Sequence, residues 1–346
     1  MANGQPSITN SHTNRIAIIG LGLIGGSIAL GLKRAGIPGL EIVGTARSRE
    51  TIQNAKRIKA IDVAAGTPEE AARGARLVVV AVPVLATKDV FGEIAPVLAP
   101  DTVVTDAGST KSNVMRWARE LLPQHAHFVG GHPMAGKEQT GIDAADPDLF
   151  HDKPWVIVPS VTADESAVRT VVGLAQQLGA RPIFMDADEH DSYVAAISHL
   201  PLALSSALFS MAFGSAAWPE IAQLASSGFR DTTRLASGSP EMARDIMLSN
   251  RENVLHWIDR FQEELSRLRE TIARGESADV LEAFARPQLE RDNFMLNGPP
   301  RREQAGAPVE TISFSDMLLG SKLAGHLRKQ SQMIKDAEER ERKGRR

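Results

Sequence analysis

The sequence predicts a doubly wound α/β Rossmann domain followed by an all-helical C-terminal domain, and three observations carry that prediction. Short, near-continuous apolar runs alternate with stretches of helical period through the first half. Strands buried on both faces read this way, and they belong to parallel sheets covered by helices. A glycine-rich loop, GLGLIGG at 20–26, sits at the first strand-to-helix turn. After about Met185 the strand pattern stops and only helical periods follow.

The first strand is expected over 15–20, RIAIIG, a β-branched run that ends in glycine. A helix follows from about Ile24 to Ala35. EIVGTA (41–46), RLVVVAV (76–82) and TVVTDA (102–107) read as the next strands, and HFVGG (127–131) and PWVIVP (154–159) continue the series. Helices are expected at 112–122 and 164–178. Segment 188–215 is rich in small residues and helical in period, with His199 and Pro201 set inside it. Pro201 lacks an N–H and should kink that helix. In 254–272, Val254, Trp257, Ile258, Phe261, Leu265, Leu268 and Ile272 fall on one helical face.

The expected organisation is a disordered N-terminus (1–14), a dinucleotide-binding domain (15–187), a helical substrate and dimerisation domain (188–297), and a largely disordered polar tail (298–346). Within the tail, 314–327 carries the pattern of a short amphipathic helix. The Ala- and Ser-rich helices suit close packing on a second copy, so a homodimer is expected.

Composition narrows the function. A net charge of −3 offers no basic field for nucleic acid. The absence of cysteine excludes thiol nucleophiles, disulfides and thiolate metal sites, and suits a reducing cytoplasm. No metal site is expected. The polar start reads as no signal peptide, and no segment reads as a membrane span.

The loop at 20–26 places Gly20, Gly22 and Gly25 in G-x-G-x-x-G spacing after a strand and before a helix, the context a dinucleotide site needs. Gly20 permits the tight turn, Gly22 admits a pyrophosphate, and Gly25 lets helix and sheet close. An NAD site then places a carboxylate at the end of the second strand, on the ribose 2′-OH. Here that end reads GTARSRE, with Arg47 and Arg49 and no acid before Glu50. Guanidinium groups suit a 2′-phosphate, which points to NADP rather than NAD.

Ser109 in DAGSTKS and His132 in GGHPMAG both follow strand ends, on the edge where doubly wound sheets bind ligands. A neutral imidazole there can take a proton from a substrate hydroxyl while hydride leaves for the cofactor, with the serine fixing its tautomer. A structural loop histidine is the alternative. His199 reads equally as a satisfied core histidine. In GFRDTTR, Arg230 and Arg234 suit a carboxylate, or one of them pairs with Asp231.

Taken together, GLGLIGGS (20–27), AVPV (81–84), DAGSTK (106–111), GGHPMAGKEQTG (130–141), SHLP (198–201) and GFRDTTR (228–234) resemble the prephenate/arogenate dehydrogenase family of tyrosine biosynthesis, in family order over about 15–295. The resemblance implies oxidative decarboxylation of a cyclohexadiene that carries a hydroxyl and a quaternary carboxylate. It implies His132 as the catalytic histidine and Ser109 as the serine that orients it. Arg234 and Arg230 belong to the segment that binds a substrate carboxylate, and His199 lies near the substrate. Leu23, Ile24, Val82 and Pro83 join the cofactor contacts. One departure stands out: many prephenate users read HLPH, and the second histidine is Leu202 here. That tilts the expectation towards arogenate. The tail is too short and polar for a regulatory ACT domain. Two competing readings are a hydroxyacid or imine reductase of similar shape, which usually relies on a lysine absent from 190–235, and a non-catalytic NADP sensor.

Overall fold

A computed structural model describes residues 14–299. The expectations for the leader before Asn14 and for most of the tail, including 314–327, lie outside those residues. Asn14 itself, expected to end a disordered leader, is buried as the first residue of β1.

The elements of the first half are β1 (Asn14–Ile19), α1 (Leu23–Arg34), β2 (Leu40–Thr45), α2 (Arg49–Arg57), β3 (Val63–Ala64), α3 (Pro68–Ala72), β4 (Leu77–Val80), α4 (Thr87–Ile94), β5 (Val103–Asp106), α5 (Ser112–Leu121), β6 (His127–Pro133), β7 (Pro154–Pro159), α6 (Glu165–Gln177) and β8 (Arg181–Phe184). They form one eight-stranded sheet in the order β3-β2-β1-β4-β5-β6-β7-β8. Alternate residues of the central strands feed cores on opposite faces. Ile16, Ile18, Leu77 and Val79 pack with α1 and α6, while Ala17, Ile19, Val78 and Val80 pack with α4 and α5. Burial on both faces is why these strands read as continuous apolar runs.

Two features correct the sequence reading. The sheet is not wholly parallel: β7 runs antiparallel to β6, with Gly131 opposite Ile157 and His132 opposite Val156. The connection between them carries only a short 3-10 turn, Ile142–Ala144, and no crossover helix, so the chain reverses direction. The sheet also contains β3 and β8, which the sequence did not reveal. Both are edge strands, two and four residues long, with half-exposed or exposed side chains and little apolar signal.

After β8 every described element is helical: α7 (Ala187–Val194), α8 (Leu200–Phe213), α9 (Trp218–Gln223), α10 (Ser227–Thr233), α11 (Pro240–Ser249), α12 (Arg251–Arg274) and α13 (Ser277–Asn297). A π turn, Ala195–His199, joins α7 to α8 into one helix of 27 residues. In that wide turn the Leu200 N–H bonds the Ala195 carbonyl. Pro201, which has no N–H to give, follows as the second residue of α8, so the turn absorbs the break the proline would impose. Contrary to the sequence reading, this helix is long and apolar enough to cross a membrane by length and composition. It also carries buried His190, Asp191, His199 and Ser205, and these tie it to the rest of the chain. The predicted apolar face of α12 is covered only near its start. Val254 is 4% exposed, whereas Leu265 and Ile272 are each 54% exposed.

Candidate active site

The glycine loop separates what the chain requires from what it leaves open. Gly20 has φ +98, and a Cβ there would meet the Ala81 carbonyl at 2.4 Å. A Cβ on Gly25 would lie 1.9 Å from the Gly20 carbonyl. Both glycines are therefore demanded by packing. A Cβ on Gly22 would meet nothing within 4 Å, so its missing side chain clears space that the chain itself does not use. Gly22 also caps α1 with no side-chain acceptor, which leaves the first N–H groups of the helix directed at that space. Leu23 and Ile24, half-buried, open the helix. Val82 lies 3.0 Å from the position of a Gly20 Cβ, and Pro83 follows it at the surface. Ile19 and Thr45 are register partners, so Arg47 and Arg49 emerge beside the loop, exposed, where β2 passes into α2. This donor set fits a phosphate-bearing dinucleotide.

The catalytic candidates stand on the same edge, beyond the ends of β5 and β6. His132 is half-buried, and its Nδ1 lies 2.8 Å from His190 Nε2. His190 Nδ1 lies 2.8 Å from Asp191 Oδ1. The same carboxylate accepts the backbone N–H of Lys111 at 2.7 Å and of Ser112 at 2.9 Å. A carboxylate only accepts, so His190 donates through Nδ1 and offers its Nε2 lone pair. His132 must then donate through Nδ1, which leaves the lone pair on its Nε2. The Asp191–His190–His132 chain therefore fixes the tautomer that can receive a proton from outside. The sequence reading gave that duty to Ser109. Here His190 holds it, and Ser109 is half-buried on the loop after β5. Sequence reasoning missed His190 and Asp191, although an adjacent His-Asp pair at the start of an otherwise apolar helix was a legible signal.

His199, 1% exposed, accepts from Asn250 Nδ2 at 3.2 Å, and Asn250 also donates to the Asp191 carbonyl at 2.7 Å. It is thus a bonded core histidine. Arg234 pairs with Glu138 at 3.0 Å rather than with Asp231, and both side chains are exposed by more than half. Arg230 and Asp231 lie in the short helix α10 rather than in a loop, with Arg230 exposed. The helical half is bolted to the catalytic loop by Thr110 to Ser249 at 2.9 Å and by Asn113 to the Ser249 carbonyl at 2.8 Å.

A family model described as the nucleotide-binding domain of prephenate dehydrogenase matches residues 28–184, and one described as its dimerization domain matches 186–286. The chain is 34% identical over 302 residues to prephenate dehydrogenase of Bacillus subtilis, covering 87% of this chain and 80% of that protein. It belongs to the prephenate dehydrogenase family. It is also 34% identical over 278 residues to cyclohexadienyl dehydrogenase of Zymomonas mobilis, covering 80% of this chain and 94% of that one. Among solved structures, prephenate dehydrogenase of A. aeolicus, in complex with hydroxyphenyl propionate and NAD+, matches with TM-score 0.76 at 29% identity, covering 81% of this chain and 98% of that one. Synechocystis arogenate dehydrogenase matches with TM-score 0.69 at 29% identity, covering 81% and 99%. The chain is an NAD(P)-dependent enzyme of the prephenate/arogenate dehydrogenase type.

In this prephenate dehydrogenase family member, electrostatics agree with the tautomer. Burial first, then the neighbouring charges of His190, Lys111 and His199, hold His132 well below the usual histidine range. Burial alone would raise the Asp191 carboxyl. Hydrogen bonds from His190 and from the Ser112 and Lys111 N–H groups more than offset it and keep it ionised. Burial pulls His199 down to about 4, with Asp191 opposing and His190 assisting. The unfolded chain takes up the His199 proton near pH 6.5, while the folded chain resists until about pH 4. Stability is therefore complete above pH 6.5 and declines as pH falls from there towards 4, by on the order of 3 kcal/mol for this group. Urea unfolding midpoints across that window check the sign, and His199→Asn should flatten the decline.

Proposed function

We propose that this enzyme catalyses NADP-dependent oxidative decarboxylation, with arogenate preferred over prephenate. The observation that carries the reading is the open Nε2 lone pair of His132, on the same strand-end edge as the Gly22 clearing. A nicotinamide cofactor, when bound, supplies the hydride acceptor. His132 takes the proton of the substrate's ring hydroxyl at Nε2 as the carbon bearing it loses hydride. The imidazolium that forms keeps donating through Nδ1 to His190, and the ionised Asp191 behind it favours that charge. Loss of the ring carboxylate as CO2 makes the product aromatic. Ser109, on the neighbouring loop, helps orient the hydroxyl. Arg234, with Arg230 nearby on α10, holds a substrate carboxylate after exchanging it for Glu138.

Leu202 supports arogenate, because an apolar residue there removes a histidine contact to a keto-acid side chain. Exposed Arg47 and Arg49 support NADP, and Leu23, Ile24, Val82 and Pro83 complete the nucleotide contacts. Arg47→Ser/Arg49→Ser should raise KM for NADP by about 10- to 100-fold, the worth of one or two charge-assisted bonds, and leave NAD kinetics nearly unchanged. The proposal extends to a cytoplasmic homodimer formed through the helical half. Its support is the apolar surface left on those helices, where Ile197 is 70%, Met211 71%, Leu281 71% and Leu289 68% exposed. Sedimentation equilibrium should return twice the chain mass.

The deciding experiment is the initial rate of reduced-cofactor formation with each substrate and each cofactor. Arogenate with NADP well ahead is expected. Prephenate ahead would remove Leu202 as the selector, and no rate in any combination would overturn the reading.

A further inference from the structure

A buried ion pair lies directly behind the catalytic edge. Asp106, the last residue of β5, and Lys111, just before α5, have fully buried side chains, and the Lys111 Nζ bonds Asp106 Oδ2. The β5–β6 ladder stops at Thr105 opposite Val129, so Gly130 to Pro133 run on past the end of β5. Side chains take over where the ladder ends. Gly131 N–H donates to Asp106 Oδ1 at 3.1 Å, and the Gly131 carbonyl accepts from Lys111 Nζ at 2.8 Å. Both backbone groups of the residue before His132 are thus held by this pair. Asp106 Oδ2 also accepts the Gly108 N–H at 2.8 Å, at the start of the loop that bears Ser109. The Lys111 main chain meanwhile donates to Asp191, so one residue touches both ends of the histidine chain. Gly131 itself cannot change, because a Cβ there would meet the Asp106 carbonyl at 2.6 Å.

Stability alone gives no reason to keep such a pair. A buried ion pair is often matched or bettered by apolar side chains of similar volume, because desolvation offsets the attraction. We propose that Asp106 and Lys111 are positioning residues for catalysis: they supply the missing rung beside Gly131, hold His132 and the Ser109 loop in register, and set a fixed positive charge behind the imidazole. The proposal rests on His132 being the base. The groups facing His132 are His190 and Asp191 from α7, His199 from the π turn, and Lys111 with Asp106 from the β5–α5 loop. Among the causes that keep its imidazole neutral, Lys111 follows burial and His190.

Two variants separate charge from packing. Asp106→Asn/Lys111→Met removes both charges at nearly constant volume, whereas Asp106→Asn alone leaves the lysine charge uncompensated. The titration midpoint of His132 is read by NMR from its ring C–H signal, assigned by its loss in His132→Asn, alongside the acid limb of kcat/KM. In the double variant both midpoints should rise, by about half a pH unit or more, the scale on which a nearby charge moves a histidine. In Asp106→Asn they should not rise. Plateau kcat should fall at least about tenfold in both variants, because the register of a base is worth that much when it slips, while NADP binding stays unchanged. Midpoints that stay put in the double variant, or rise equally in both, would overturn the proposal and leave the pair a structural clamp. If either variant fails to fold, Lys111→Gln, which keeps a donor for the Gly131 carbonyl without the charge, gives the same readout and should also raise the midpoint. A wild-type enzyme with no turnover on either substrate would overturn the proposed reaction, whereas the NMR midpoints would still decide the role of the pair.

Discussion

Replacing His132 with Asn is expected to lower kcat by about a hundred- to ten-thousand-fold, the range that a positioned general base supplies. Asn keeps a polar side chain of similar reach but cannot take a proton at neutral pH. His132 approaches no residue of the glycine loop by any hydrogen bond among the described residues, so NADP affinity should stay within about twofold, less than the loss of one weak hydrogen bond. Stopped-flow hydride transfer with cofactor titration checks both halves. The wild-type control carries its own expectation. His132 is held well below the usual histidine range, so kcat/KM should stay on its plateau at pH 6.5 and fall only in more acidic buffer. A fall centred at or above pH 6.5 would assign the limb to another group.

The second large effect is expected at Asp191→Asn. The carboxylate receives the His190 Nδ1–H and the backbone N–H groups of Lys111 and Ser112, so it orients the relay and also caps α5. An amide turns one of its acceptors into a donor that faces another donor. One partner is left unbonded in a site where Asp191 is 1% exposed, which costs about 1–3 kcal/mol. His190 then loses the partner that dictates its tautomer, and a share of His132 carries its proton on the wrong nitrogen. Turnover should drop by about a hundred- to ten-thousand-fold, on the precedent of a buried aspartate behind a catalytic histidine. Measured on protein verified as folded, a drop no larger than the lost folded fraction would show the relay to be idle.

Much of this site was legible before any coordinates. The strand ends that carry the glycine loop, Ser109 and His132 follow from apolar runs punctuated by glycine, because a strand covered on both faces leaves an unbroken signature. His190 was not found, since its meaning depends on a partner 58 residues earlier that no local pattern announces. The reversal of β7 was equally hidden. Strand direction depends on how the connection travels, and PWVIVP reads the same either way. Edge strands β3 and β8 escaped because an element half open to water needs few apolar residues. Arg234 was singled out correctly as an ion-pairing residue, but its partner Glu138 lies 96 positions away.

The π turn has a consequence for what the gene tolerates. Its bond from Leu200 back to Ala195 spans one residue more than an α-helical bond does, so the turn behaves as a single-residue insertion between the His190–Asp191 pair and everything beyond it. Each helical residue advances the direction of its side chain by about 100°. Deleting one residue from 196–198 would restore an ordinary helix and swing His199, Leu202 and Ser205 about a quarter-turn away from Asn250 and Thr232, which now hold His199 and Ser205. Most point substitutions in this stretch leave that phase intact, whereas a one-codon deletion does not. Length, more than identity, is what selection has to guard at 195–199.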